Sequence, residues 1–302
     1  MNRDQIKGIV WVALGAASYG ILATFVKLAY DEHFTTSEVT FSQYFLGFAG
    51  IGLLNLFARK TTRTPVRPAQ AGKLMLAGTS MGFTGTFYYY SVQYVPVSLA
   101  IVLLMQTVWM GVVAEMILEK RAPSWLKTGG ALLVCVGSIL ATDAVHNLQT
   151  LDWRGIGWGL LAALSYTVFV VASNRIAPDL PSLQRSFWLM TGALLLVACV
   201  ALPDLLEKFD ARVIWKYGLV LSLFGTILPP LLFTAGMPLT GLGLGTIITA
   251  LEIPVSVSMA YFILGETVVG TQWLGIVVIL SAIVVMNWRS VAMKRGVRGF
   301  DV

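Results

Sequence analysis

The sequence predicts an all-α polytopic membrane protein: ten transmembrane helices, arranged as two inverted five-helix repeats around a central cavity. Three observations predict it. Of 302 residues, 57% are hydrophobic and only 12% are charged, roughly half the charge of an ordinary soluble domain. In water such a chain would leave large apolar patches uncovered. The apolar residues also fall in runs about as long as a bilayer is thick, divided by short charged or turn-rich segments. Finally, motifs of the first half recur in order in the second.

The runs read as helices over approximately 8–30, 37–58, 74–93, 97–118 and 126–145, then 155–175, 183–202, 217–236, 241–264 and 270–289. Ten spans of about 20 residues use about two thirds of the chain, which leaves no room for a sizeable soluble domain. The first run follows Arg3 and Lys7 as a signal peptide would. It is longer than the usual apolar core of such a peptide and opens a series of further spans, so it is expected to stay as a mature helix. Cys135 and Cys199 lie inside apolar runs and are expected to be small core residues without a disulfide.

Orientation follows from the placement of Lys and Arg. With the N-terminus inside, the cytoplasmic segments hold sixteen of the 21 basic residues, among them Lys7, Arg67, Lys73, Lys120, Arg121, Lys127, Arg175 and Arg185. Arg154, Lys208, Arg212 and Lys216 fall outside, and Lys27 near the outer end of the first helix reads as a snorkelling anchor. Both termini are therefore expected in the cytoplasm, with the chain in the inner (plasma) membrane. The net charge of +6 is a topology signal, since the basic residues form no aromatic-interleaved stripe for nucleic acid.

The duplication is specific. Ala16-Ala17-Ser18-Tyr19 recurs as Ala163-Leu164-Ser165-Tyr166 at an offset of 147, and Gly8, Trp11 and Glu119 map at that offset to Gly155, Trp158 and Glu266. Val95-Pro96-Val97-Ser98 resembles Met237-Pro238-Leu239-Thr240 at an offset of 142, which implies about five extra residues in the second copy before Glu266. The expected division is residues 1–146 and 147–302, each with five helices. An odd number of helices forces the second copy to enter the membrane from the opposite side, the arrangement typical of secondary transporters.

These residues resemble the EamA-type drug/metabolite transporter superfamily. Each half opens with Ala-x-Ser-Tyr, and the second carries Leu251-Glu252-Ile253-Pro254-Val255, Leu264-Gly265-Glu266-Thr267 and Gln272-Trp273-Leu274-Gly275. The proline falls two residues after Glu252, and in the first half Met105 takes the place equivalent to Glu252. The likeness spans residues 8–289, and within the superfamily the ten-helix bacterial exporters of amino acids and related metabolites are the nearest. It implies a carrier fold whose first helix in each repeat faces the central cavity at Tyr19 and Tyr166. Multidrug, nucleoside and other metabolite carriers share that fold and stay open as alternatives.

A path through a bilayer needs polar groups that face the bundle interior. Ser80, Thr84, Tyr88 and Ser91 share one face of the third helix. Of three consecutive tyrosines Tyr88 lies on that stripe and is chosen for the cavity, the alternative being an interfacial aromatic belt. The fourth helix offers Met105, Gln106 and Trp109, and the ninth Thr249, Glu252 and Ser256, with Thr246 and Ile253 beside them. Glu252 is the acid nearest the middle of a span, so it is the candidate for substrate recognition or proton coupling. Glu115 is expected to pair with Lys120 or Arg121. Pro229 and Pro230 remove two backbone donors inside the eighth helix and are the hinge candidates.

Other classes fit less well. A pump would need a nucleotide loop of the G-x-x-x-x-G-K-[ST] type, and the chain has none. An intramembrane enzyme would need paired acids or H-E-x-x-H in a span, and a channel a filter built from identical subunits. Neither metal nor cofactor is expected. The expected partners are the lipid bilayer and a small-molecule substrate, an amino acid or similar metabolite. One protomer contains the whole site, so a monomer suffices.

Overall fold

The computed structural model describes residues 3–58, 64–95, 97–141, 152–265 and 267–297, and the regular secondary structure there is helical. The first half holds α1 (Arg3–Asp31), α2 (Thr36–Phe57), α3 (Pro68–Tyr94), α4 (Val97–Leu104), α5 (Thr107–Glu119) and α6 (Trp125–Ala141). The second holds α7 (Trp153–Arg175), α8 (Ser182–Glu207), the π-helical π1 (Ile214–Gly218), α9 (Leu219–Leu221), the π-helical π2 (Ser222–Ile227), α10 (Leu228–Thr240), α11 (Leu242–Thr249), α12 (Glu252–Leu264) and α13 (Gly270–Val297). Three series, α4 with α5, π1 through α10, and α11 with α12, each continue as one rod, so the described residues form ten rods.

Seven rods are long and apolar enough to cross a membrane by composition alone, and α6 and residues Gly270–Val285 are shorter apolar helices. Helix α3 has the length, but the Ser, Thr, Gly and Tyr residues along it lower its hydropathy. Local chemistry sets several ends. Thr35 and Glu38 form a capping box at α2, Pro68 opens α3, and the Asp152 side chain caps α7. Helices α5 and α12 stop at residues in the left-handed region, Lys120 at φ 52° and Gly265 at φ 66°.

The halves pack on each other more than on themselves, in symmetry-related pairs. Helix α3 lies on α7 and α8, while its counterpart, the π1–α10 rod, lies on α1 and α2. Helix α2 packs on α8 and α6 on α13, each against its own counterpart. The inversion is visible in two equivalent glycines. Gly8, near the start of α1, abuts the end of α10 at Leu239 and Thr240. Gly155, near the start of α7, abuts the end of α3 at Tyr94 and Val95, at the other end of the bundle. We call these the Glu119 end and the Tyr30 end. The α3–α8 crossing is the tightest: a Cβ on Gly78 would run into the carbonyl oxygen of Leu189, and one on Gly192 into that of Met75. Only glycine permits that backbone approach.

Two continuous helices expected from the sequence are broken, and broken alike. Gln106 N bonds Leu103 O, Val108 N bonds Met105 O and Met110 N bonds Gln106 O; in the second half Leu251 N bonds Ile248 O, Ile253 N bonds Ala250 O and Val255 N bonds Leu251 O. Every one of these positions is related by an offset of 145, as are the starts and ends of α4 with α11 and α5 with α12. The offset of 147 holds for α1 and α7 and slips by two before the breaks. This corrects three equivalences. Thr107, and not Met105, is the counterpart of Glu252. Glu119 corresponds to Leu264, while Glu266 lies outside the described residues. Val95 caps α3, whereas Met237–Thr240 form the last turn of α10, so that tetrapeptide match is not structural.

Buried charge fixes the π1–α10 rod at both ends. Arg185, 1% exposed, donates to Ile176 O, Ser173 O and Thr234 O at 3.0, 2.7 and 2.6 Å, tying the end of α7 to α10. Glu38 accepts from Asp210 N at 2.7 Å just before π1. Between these anchors, Pro229 and Pro230 are buried in the first turn of α10, directly after the wider turns of π2. The prolines lack the N–H groups that would close those turns. Both cysteines are free, but Cys199 is exposed on the outer face of α8 and is not a core residue.

Candidate functional site

A cavity of about 480 Å³ lies between the halves. Its wall draws on α1, α2, α3, α4, α7, π2 and α12, and it reaches the Tyr30 end through Tyr30, Thr36, Gln93, Val268 and Gln272. Six residues singled out from the sequence line it: Tyr19, Thr84, Tyr88, Tyr166, Glu252 and Ser256. The break before α12 is what brings Glu252 there. It starts α12 at the depth of Gly20 on α1, where a Cβ would be 2.6 Å from Glu252 O. Glycine at position 20 lets the two backbones meet.

The aromatic residues at the cavity form two groups. Tyr19 meets Tyr166 edge-on with ring centroids 5.9 Å apart, and meets Phe233 at the same distance. Tyr166 stacks on Phe169 at 6.2 Å, and Tyr88 and Tyr30 flank Tyr89, each at 6.1 Å. Among the described lining residues Glu252 is the one carboxylate and Lys27 the one cation. Lys27, expected as a snorkelling anchor, therefore lies in the cavity wall. Three buried polar atoms in the wall have no hydrogen-bond partner within the protein: Gln43 Oε1, Tyr166 Oη and Glu252 Oε2.

Four sequence candidates lie elsewhere, three of them because of the helix breaks. Gln106 Nε2 donates to Val102 O at 3.0 Å, a carbonyl that the break leaves without its backbone partner, and its Oε1 accepts from Trp109 Nε1 at 2.8 Å. Trp109 is 42% exposed on the outer surface. Thr249 donates to Thr246 O at 2.6 Å, within the last turn of α11. Met105 is fully buried core. On α3, Ser80 and Ser91 are taken up by Ala77 O and Gly155 O, so only Thr84 and Tyr88 of that stripe reach the cavity. Glu115 pairs with Lys127 at 2.5 Å, not with Lys120 or Arg121.

The sequence reading missed Gln43, Tyr44, Tyr89 and Phe169 in the wall. Gln43-Tyr44, a polar pair well inside an apolar run, was the available signal for two of them. The Glu119 end is closed: Glu115 also accepts from Gly243 N at 3.1 Å at the start of α11, and Arg175 bridges to Glu119 at 3.1 Å. The register of 145 places Ala260 opposite Glu115 and Gln272 opposite Lys127, and both of these line the open cavity.

Interdigitated repeats around a cavity open at one end are the architecture of a polytopic membrane transporter. Residues 6–142 and 153–288 each match the model of the EamA-like transporter family, and the chain belongs to that family. It is similar to an uncharacterized transporter of Archaeoglobus fulgidus, 25% identical over 280 residues that cover 92% of this chain and 95% of the relative. A solved crystal structure that is 14% identical superposes with a TM-score of 0.67, covering 95% of this chain and 98% of that one, a likeness of fold alone.

Proposed function

We propose that the protein is a secondary carrier that moves small amphiphilic metabolites, amino acids foremost, outward across the inner membrane by alternating access. The observation that carries this is the cavity: about 480 Å³, between two inverted repeats, open at the Tyr30 end and closed at the Glu119 end. The volume suits a small molecule, and phenol rings with hydroxyl tips suit an apolar body with a polar head. The basic residues of the sequence put the Glu119 end in the cytoplasm, so the described state opens outward. Exchange of the two ends, with the π1–α10 rod flexing at its prolines, would carry the site from one side to the other.

Counterflow in proteoliposomes tests it. Saturable uptake of a labelled amino acid, stimulated by unlabelled substrate inside, is expected; linear flux that no compound competes would refute it. Glu252→Gln is expected to alter the pH dependence of that uptake, and normal transport with an unchanged pH profile would remove the coupling role.

A further inference from the structure

We propose that the inner layer of the cavity is an ammonium subsite built from Glu252, Tyr166 and Gln43 with the ring of Tyr19, so that the transported molecules are primary amines or carry one. The inference rests on the reading of this cavity as the substrate site. Its first ground is position. Tyr166 packs on Tyr19, Glu252 meets α1 at Gly20, and Gln43 and Leu22 meet at Gly225. Residues 19 to 22 of α1 span about 4.5 Å along the helix axis. The three side chains therefore point into one layer of the bundle.

The second ground is chemistry. The three atoms of the described cavity wall without a partner are Gln43 Oε1, Tyr166 Oη and Glu252 Oε2. All three can accept hydrogen bonds, and one of them belongs to a carboxylate. A primary ammonium presents three donors and a positive charge, which this set complements. The Glu252 carboxylate shares the cavity wall with the phenol rings of Tyr19, Tyr88 and Tyr166. A cation there also meets electron-rich ring faces. The carboxylate stands at the N-terminal end of α12.

The third ground is exclusion. A substrate carboxylate placed in this layer would face Glu252, and the cation among the described lining residues, Lys27, branches from α1 about 10 Å nearer the mouth. An amino acid would then bind with its ammonium innermost, and its carboxylate would be dispensable for that contact. Decarboxylated analogues become expected substrates, and deaminated ones do not.

Binding to the purified, full-length protein in nanodiscs at pH 7, with phenylalanine, 2-phenylethylamine and 3-phenylpropionate as probes, tests the subsite. The amine is expected to bind at least about tenfold more tightly than the acid. Glu252→Gln should lower amine affinity by about tenfold or more, as loss of a charge-assisted hydrogen bond does. Tyr166→Phe, which removes a single oxygen, should lower it severalfold and keeps the test open should the Glu252 variant not fold. Equal binding of acid and amine, no binding of the amine, or unchanged amine affinity in the folded variants would overturn the proposal. Counterflow separates this from the carrier reading. Saturable exchange without preference for amines leaves the carrier and removes the subsite. Preferential amine binding with linear, uncompeted flux leaves the subsite and removes the carrier.

Discussion

Helices α4–α5 and α11–α12 have the same lengths, the same break and the same hydrogen bonds across it, yet opposite polar content. In the first copy the residue after the break is Thr107, fully buried, whose hydroxyl meets Thr167 on α7 at 2.7 Å. In the second it is Glu252, and the α1 position that corresponds to Thr167 is Gly20, which has nothing to donate. One crossing closes on itself and the other leaves a carboxylate facing a cavity. The same contrast recurs one helix further on. Glu115 and Lys127 lock the Glu119 end, while their counterparts Ala260 and Gln272 leave the Tyr30 end open. A symmetric backbone thus carries asymmetric side chains, with one candidate site and two ends held unequally.

The largest effect is expected from forcing the symmetry at the break. Thr107→Glu buries a carboxylate with Thr167 as its one polar neighbour across the crossing, at a cost of about 3–5 kcal/mol. Most of the protein should be lost from the monodisperse peak in size-exclusion chromatography, whereas Thr107→Ser should leave the yield unchanged. Next is transplanting the lock. Ala260→Glu with Gln272→Lys places the closed-end pair at the open end. A partly buried pair contributing about 1.4 kcal/mol would bias the gate about tenfold, so counterflow should fall by about that factor while thermal stability is kept.

A smaller effect is expected from the existing lock. A double-mutant cycle of Glu115→Gln and Lys127→Gln should give a coupling energy of about 1 kcal/mol in unfolding measurements, because Lys127 stays partly exposed. The smallest effect lies in the loop before π1. Hydrogen bonds from Arg212 push the Asp210 carboxyl down to about 2. A carboxylate held below its ordinary value stabilises the fold above the ordinary range, and that contribution is lost as pH falls from about 4 towards 2. Asp210→Asn should flatten the stability profile in that window and slightly lower stability at neutral pH, where the contribution is fully present.

Much of this was legible in the residues. Hydropathy runs gave the rods, and the recurrence of Ser18-Tyr19 as Ser165-Tyr166 gave the duplication and one cavity pair. Glu252 stood out because charge inside an apolar run has few tolerable reasons. Met105, Gln106, Trp109 and Thr249 lie outside the cavity, three of them because helical periodicity was carried through positions where the helix breaks. Pro254 hinted at the second break, but the first has no proline and occurs all the same. The break belongs to the crossing of the two repeats, where α1 and α7 each meet an interrupted helix of the opposite half.

The sequence by itself determined the solvent of this protein, its helical class and its twofold plan, because burial in lipid and helical periodicity are properties of single segments. Only the tertiary structure decided the register of 145 through the breaks, the partners of Glu115 and Arg185, and which polar atoms were left without one. Those outcomes depend on which residue of a distant helix arrives at the same depth. Gly20 beside Glu252 and Thr167 beside Thr107 are the two cases that separate the site from the scaffold.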